Sequence, residues 1–177
     1  MHAPGPVLWL MGPTSSGKTT LGEALVVRLR DKGTPAILFD GDEVRGLIGP
    51  GQGFSSEDRL QTVRALVHLA NKVSDAGLVV VVAALTANED ARALVREQVN
   101  RLLVGSVQCA IETCAERDPK GLYAQAERAE IETLIGVNGE YTAPENPDIV
   151  LDTEAESVSA LVDKLQNFLQ KVCKEMV

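Results

Sequence analysis

Near its start the chain reads Gly12-Pro13-Thr14-Ser15-Ser16-Gly17-Lys18-Thr19, which fits the pattern G-x-x-x-x-G-K-[ST]. Glycines in such a run let the backbone curl so that successive N–H groups face inward around a phosphate, and a helix opening at the lysine adds the positive end of its dipole. Lys18 would then reach the β- and γ-phosphates of a nucleoside triphosphate, while the Thr19 hydroxyl would hold Mg²⁺. The bland alternative is a glycine-rich turn that binds nothing, but a lysine directly after Gly17 has no packing reason to be there. The pattern nominates Gly12, Pro13, Thr14, Ser15, Ser16, Gly17, Lys18, Thr19 and Thr20 for ATP, with Lys18 as a catalytic group.

A second group follows at Asp40-Gly41-Asp42. One carboxylate can organise Mg²⁺ or accept the proton of an attacking hydroxyl. The residues alone leave open which of Asp40 and Asp42 does so, and Asp-Gly-Asp is also good turn chemistry.

These groups need a scaffold that brings them together. Val7–Met11 is a short apolar run ahead of the loop, and Leu21, Leu25 and Leu29 recur at helical spacing behind it until Gly33. Ala36–Phe39 predicts a strand ending at Asp40. Ser55-Ser56-Glu57-Asp58 predicts a capped helix running to about Gly77, and Leu78–Leu85 is a continuous apolar strand of the kind found in sheets covered on both faces. Asn88 predicts a cap for a helix running towards Val104, followed by a strand at Val107–Ile111, a charged loop-rich stretch, a strand at Ile149–Leu151 and a closing amphipathic helix over Val158–Val172. Strands alternating with helices imply right-handed crossovers and a parallel sheet, whose carboxyl ends carry the ligands.

With 177 residues, 45% of them hydrophobic, the chain suits one domain with one core. The net charge of −8 argues against a surface made for nucleic acid or anionic lipid, which would need dense Lys and Arg. Cys109, Cys114 and Cys173 are too scattered for a disulfide framework or a four-ligand zinc site and read as buried reduced thiols. No apolar run approaches the roughly 20 residues that span a bilayer, so the cytoplasm is the expected location. No guanine-reading N-K-x-D motif is present, and the chain is too short for a motor or helicase core.

The loop, together with Phe39-Asp40-Gly41-Asp42-Glu43-Val44-Arg45, Phe54-Ser55-Ser56-Glu57-Asp58-Arg59, Arg117-Asp118-Pro119-Lys120-Gly121-Leu122-Tyr123 and Ala143–Thr153, resembles the adenylyl-sulfate (APS) kinase family in order and spacing. The resemblance implies a P-loop NTPase-type three-layer α/β/α sandwich with a mostly parallel central sheet, a single kinase domain over residues 1–177, and a lid over about 115–142. It implies Mg²⁺- and ATP-dependent phosphorylation of the APS 3′-hydroxyl to give PAPS, in a homodimer. By the same resemblance Asp42 is the catalytic base and organises Mg²⁺ while Asp40 meets the substrate, Arg45 and Arg59 grip the phosphosulfate, Phe54 stacks on the APS adenine, Arg117 contacts the nucleotide, and Lys120, Gly121 and Leu122 contact substrate from the lid. A solvated helix face is the plainer reading of either arginine alone.

The chain departs from the family mainly on the acceptor side. Thr62 and Ala65 stand where the family usually has Asn and Arg; Thr86-Ala87-Asn88-Glu89 replaces Ser-Pro-Tyr-Arg; Glu127 and its neighbours replace a basic run; and Leu134-Ile135-Gly136 replaces the Phe-Thr-Gly that carries a second stacking ring. A lost ring is worth about 1–3 kcal/mol of stacking, roughly ten- to hundredfold in affinity. APS therefore leads as acceptor, with another hydroxyl compound (a nucleoside, sugar or secondary metabolite) as the alternative. A nucleotide switch that transfers nothing stands third, because a pure switch has little use for Asp42.

Overall fold

Every residue of Val7–Met11 is buried, as a strand covered on both faces requires. In the computed structural model, which describes residues 3–48, 55–130 and 133–175, this strand, β1, is the centre of a five-stranded sheet of order β2-β3-β1-β4-β5 in which every neighbouring pair is parallel. The other strands are β2 (Ala36–Asp40), β3 (Val79–Ala83), β4 (Leu102–Gln108) and β5 (Ile149–Asp152). The helices in chain order are α1 (Lys18–Asp31), α2 (Gly41–Ile48), α3 (Ser56–Asp75), α4 (Glu89–Gln98), α5 (Ile111–Arg117), α6 (Leu122–Glu127) and α7 (Val158–Glu175).

The two-residue period of β1 sorts the core into two layers. Leu8 and Leu10 meet Leu21, Leu25 and Leu29 of α1 and Leu161 and Leu165 of α7. Val7, Trp9 and Met11 point the other way, towards Val63, Leu66 and Val67 of α3 and Val95 of α4. The expected three layers are therefore present, and the sheet of the described residues is wholly rather than mostly parallel. No helix among the described residues is long and apolar enough to cross a membrane.

The start of α3 forms as its sequence requires. The Ser55 Oγ accepts from the Asp58 amide at 3.2 Å while the Asp58 carboxylate accepts from the Ser55 amide at 3.3 Å, a reciprocal capping box. Other elements differ from expectation. The helix after Asn88 stops at Gln98 instead of continuing towards Val104, and the next strand starts at Leu102, not Val107. Ile111, expected to end that strand, begins α5. Two short helices, α5 and α6, occupy the stretch expected to be loop, and α2 follows β2 without a break. Of the three free thiols Cys114 is buried, whereas Cys109 and Cys173 are half-buried.

Candidate active site

Between β1 and α1 the chain turns through two left-handed residues, Ser15 with φ 64° and Gly17 with φ 94°. A Cβ on Gly12 would lie 2.6 Å from the Val107 carbonyl oxygen and 2.8 Å from Ser16 Oγ, so only glycine fits the tight approach of loop to β4. Ser16 is fully buried, and its hydroxyl has no hydrogen-bond partner. Lys18 folds back over the loop, its ammonium donating to the carbonyls of Gly12 at 2.9 Å and Pro13 at 2.6 Å. Burial lowers its pKa from 10.5 to about 8, against the opposing pull of the Asp42 and Asp40 carboxylates.

The Thr19 hydroxyl donates to Asp40 Oδ2 at 2.5 Å. Asp40 Oδ1 accepts from the amides of Asp42 at 2.8 Å and Glu43 at 3.2 Å, so this carboxylate opens α2 as well as meeting α1. Asp42, in the first turn of α2, has one oxygen on Arg45 at 2.7 Å and the other on Lys120 at 2.6 Å. Burial works to raise the Asp42 pKa, but the hydrogen bond from Lys120 and the positive charges of Arg45, Lys120 and Lys18 hold it below the usual carboxylate range. Arg59 of α3 reaches across the site, donating to the Thr133 carbonyl at 2.6 Å. Burial, then the charge of Arg45 beside it, lowers its pKa.

Two residues given no contact of their own by the sequence reading, Tyr123 of the lid segment and Thr153, fasten the segment carrying Lys120. The Tyr123 hydroxyl donates to the Thr14 carbonyl at 3.1 Å, tying α6 to the phosphate loop. Thr153, just beyond β5, directs its hydroxyl towards the carbonyls of Ser16 at 3.0 Å and Gln108 at 3.2 Å. Arg117 donates in turn to Thr153 Oγ1 at 3.1 Å and to its carbonyl at 2.9 Å. Thr153 carries the positional signal that singled out Asp40, a polar residue at the carboxyl end of a short apolar strand.

These groups open on one cleft of about 560 Å³. Thr14, Ser15, Gly17, Lys18, Thr19 and Thr20 line its nucleotide-loop end, and Asp40, Asp42, Arg45 and Arg59 line the end of β2 and the helices beside it. Arg117, Lys120 and Leu122 close it from the segment between β4 and β5. Gly12, Pro13 and Ser16 are buried outside the lining, and Gly121 stands at the αL entry to α6 between two lining residues. Phe54 lies outside the described residues.

The altered positions fall into two sets. Thr62, Thr86 and Leu134 do line the cleft. The Thr62 hydroxyl donates to the Asp58 carbonyl of its own helix at 3.1 Å, and Leu134 is 2% exposed in a small cluster with Cys114, Tyr123 and Ala126. Glu89 and Glu127 line nothing: Glu89 is 72% exposed beside Arg92 and Arg96, and Glu127 is on the surface. The charge reversal at Glu89 thus faces solvent, not the cleft.

The adenylylsulphate kinase family profile matches residues 4–152. The chain is 39% identical to the probable adenylyl-sulfate kinase of Archaeoglobus fulgidus over 84% of its own length and 96% of that protein. It is 34% identical to the adenylyl-sulfate kinase of Clostridium kluyveri, over 96% and 85% of the two chains. Among solved structures, the Mycobacterium tuberculosis APS kinase in complex with AMPPNP and APS superposes with a TM-score of 0.88 at 31% identity, over 94% of this chain and 98% of that one.

Proposed function

Because the chain belongs to the adenylyl-sulfate kinase family, we propose that it transfers the γ-phosphoryl group of ATP to the 3′-hydroxyl of adenylyl sulfate, giving PAPS and ADP. The observation that carries the reading is the meeting of Lys18, Thr19, Asp42 and Lys120 in one cleft, with Asp42 bonded to a lysine 78 positions away in sequence.

The phosphate loop supplies backbone N–H groups and the N-terminus of α1 to the ATP phosphates, and Gly12, Pro13, Thr14, Ser15, Ser16, Gly17 and Thr20 make up that cradle with Lys18 and Thr19. Lys18 moves from the loop carbonyls to the phosphate oxygens, where its charge is of most use during transfer. The buried, unpartnered Ser16 hydroxyl suits a loop shaped to wrap an anion. The Thr19 hydroxyl and the Asp42 carboxylate are hard oxygen donors and would hold Mg²⁺, which when bound neutralises charge on the phosphates.

Asp42, ionised at neutral pH, accepts the proton of the acceptor hydroxyl as the new O–P bond forms. Arg45 and Arg59 present guanidinium donors to an anionic acceptor. Lys120 trades Asp42 for the transferring group when the lid of about residues 115–142 closes; Gly121 and Leu122 follow it onto the substrate, and Arg117 closes over the nucleotide. That closure excludes water from the transferring group. Phe54 stacks on the acceptor base. We place the chain in the cytoplasm and assign it to a homodimer, whose mass sedimentation velocity tests.

A second reading changes the acceptor only. Among the described residues no aromatic ring lines the cleft, and the wall beyond Asp42 is aliphatic: Val63, Leu66, Ala83, Ala84, Ala91 and Leu134. A hydroxyl compound less anionic than APS fits such a wall. Coupled ADP release with APS at fixed MgATP, beside a panel of nucleosides and sugars, separates the two. PAPS formation supports the first; turnover of a panel member with none of APS establishes the second; no turnover of any acceptor refutes both.

A further inference from the structure

Arg92 of α4 is 3% exposed, and the transfer just described uses none of its atoms. Its nearest carboxylate, that of Glu89, is 3.8 Å away and 72% exposed. A guanidinium buried without a tight ion pair needs its donors satisfied in some other way. Backbone carbonyls do this here: Nε donates to Thr86 at 2.9 Å, Nη1 to Ala143 at 3.4 Å, and Nη2 to Thr142. The guanidinium also lies over the Tyr141 ring, 6.0 Å from its centre.

The carbonyls belong to two separate segments. Thr86 is in the loop after β3, which emerges beside Asp40–Asp42 because Ala83 pairs with Asp40 in the sheet, and it lines the cleft. Its φ of 43° puts a β-branched residue in the left-handed region, a conformation that persists only when its surroundings hold it. Arg92 holds its carbonyl, and Trp9 Nε1 donates to its hydroxyl at 2.9 Å. Thr142 and Ala143 lie in the segment that returns the chain from α6 to β5.

We propose that Arg92 is a positioning residue for the acceptor: it clamps the Thr86 wall of the cleft to the segment returning from the lid, so that the acceptor meets a wall of one shape. The role rests on the kinase reading, yet its geometric half can be tested without any acceptor. The chain has one tryptophan, so a single indole N–H resonance reports the Trp9–Thr86 contact.

Two variants make the test. Arg92→Lys keeps the charge but replaces the planar fork with a point ammonium, and Arg92→Met keeps bulk while removing every donor. The indole resonance should move in both. The APS KM should rise by about tenfold or more in Arg92→Met and less in Arg92→Lys, because small displacements of a positioning wall weigh heavily on productive binding, while the MgATP KM should stay within about twofold. Unmoved resonances, an unchanged APS KM in a folded variant, or both KM values rising together would overturn the proposal. So would failure of both variants to fold, which would make Arg92 a core residue and nothing more. If the unmodified protein turns over no APS, the kinase reading falls, and the indole comparison still decides whether Arg92 holds the wall.

Discussion

Lys18 lets the cost of a buried charge be separated from the bonds that the same side chain makes. Its pKa of about 8, lowered from 10.5 chiefly by burial, stands for about 3 kcal/mol against the ammonium in the folded state. The side chain is only half-buried beside the cleft, so screening leaves about 1–2 kcal/mol. The folded pKa lies below the unfolded one, so between pH 8 and 10.5 the unfolded chain binds more protons and stability rises with pH; below pH 8 the whole penalty stands. Lys18→Met removes the titration together with the bonds to Gly12 and Pro13. A neutral amine keeps those bonds, so the loss of the bonds offsets the variant by a constant, and only the charge makes the difference depend on pH. Between pH 7 and 10.5 the wild type should gain about 1–2 kcal/mol on Lys18→Met, a relative shift of about 2–8 °C in Tm for a chain of this size. Thermal unfolding of both proteins across that range without nucleotide measures it, and MgATP at pH 7 should then stabilise the wild type alone. Parallel pH curves, or a wild type that loses ground as pH rises, would refute the argument from burial; normal transfer by folded Lys18→Met would refute the site.

Asp42→Asn should keep ATP binding by calorimetry and lose about 10²–10⁴-fold in kcat, since an amide accepts no proton; retention of more than about a tenth of the rate would pass the role to another group. Tyr123→Phe deletes one hydrogen bond between α6 and the loop, worth about 0.5–1.5 kcal/mol, and should lower Tm by about 1–6 °C and raise the ATP KM by about two- to tenfold. Leu134→Phe and Thr62→Asn should each lower the APS KM without moving that for ATP. The Phe variant should also lose about 1–3 kcal/mol of stability in a chemical denaturation curve, because Leu134 already packs in a filled cluster.

What the sequence made legible was what is decided locally. The phosphate loop lies between an apolar run and a helical one, and its conformation is written in Gly12 and Gly17. The Ser55–Asp58 box opens α3 where it was expected to start. The misjudged elements are those decided by partners far along the chain. Leu94, Val95, Val99, Leu102 and Leu103 continue a helical rhythm, but Leu102 and Leu103 pair with β1, and the Asn100 amide is held by Asn71 at 2.9 Å, so the helix yields to the sheet. Asp40-Gly41-Asp42 reads as a turn and becomes the first turn of α2, because Asp40 accepts the amides a turn would leave open. The departures at Glu89 and Thr62 look alike in sequence. They separate only when one side chain points to solvent and the other hydroxyl bonds its own helix.

The bond from Thr153 to Ser16 spans 137 positions. A chain leaving the ribosome therefore makes its phosphate loop first and receives the Thr153 support of that loop near its end, with only α7 still to come. The loop's strand, β1, is central and waits for β4 on one side and β3 on the other, while Thr153 and the Arg117 clamp wait for β5. ATP can thus act as a ligand of the finished fold and not as a template for nascent chains: nucleotide affinity in a series of stalled or truncated chains should appear as a step once residue 153 is free of the tunnel, instead of growing with length.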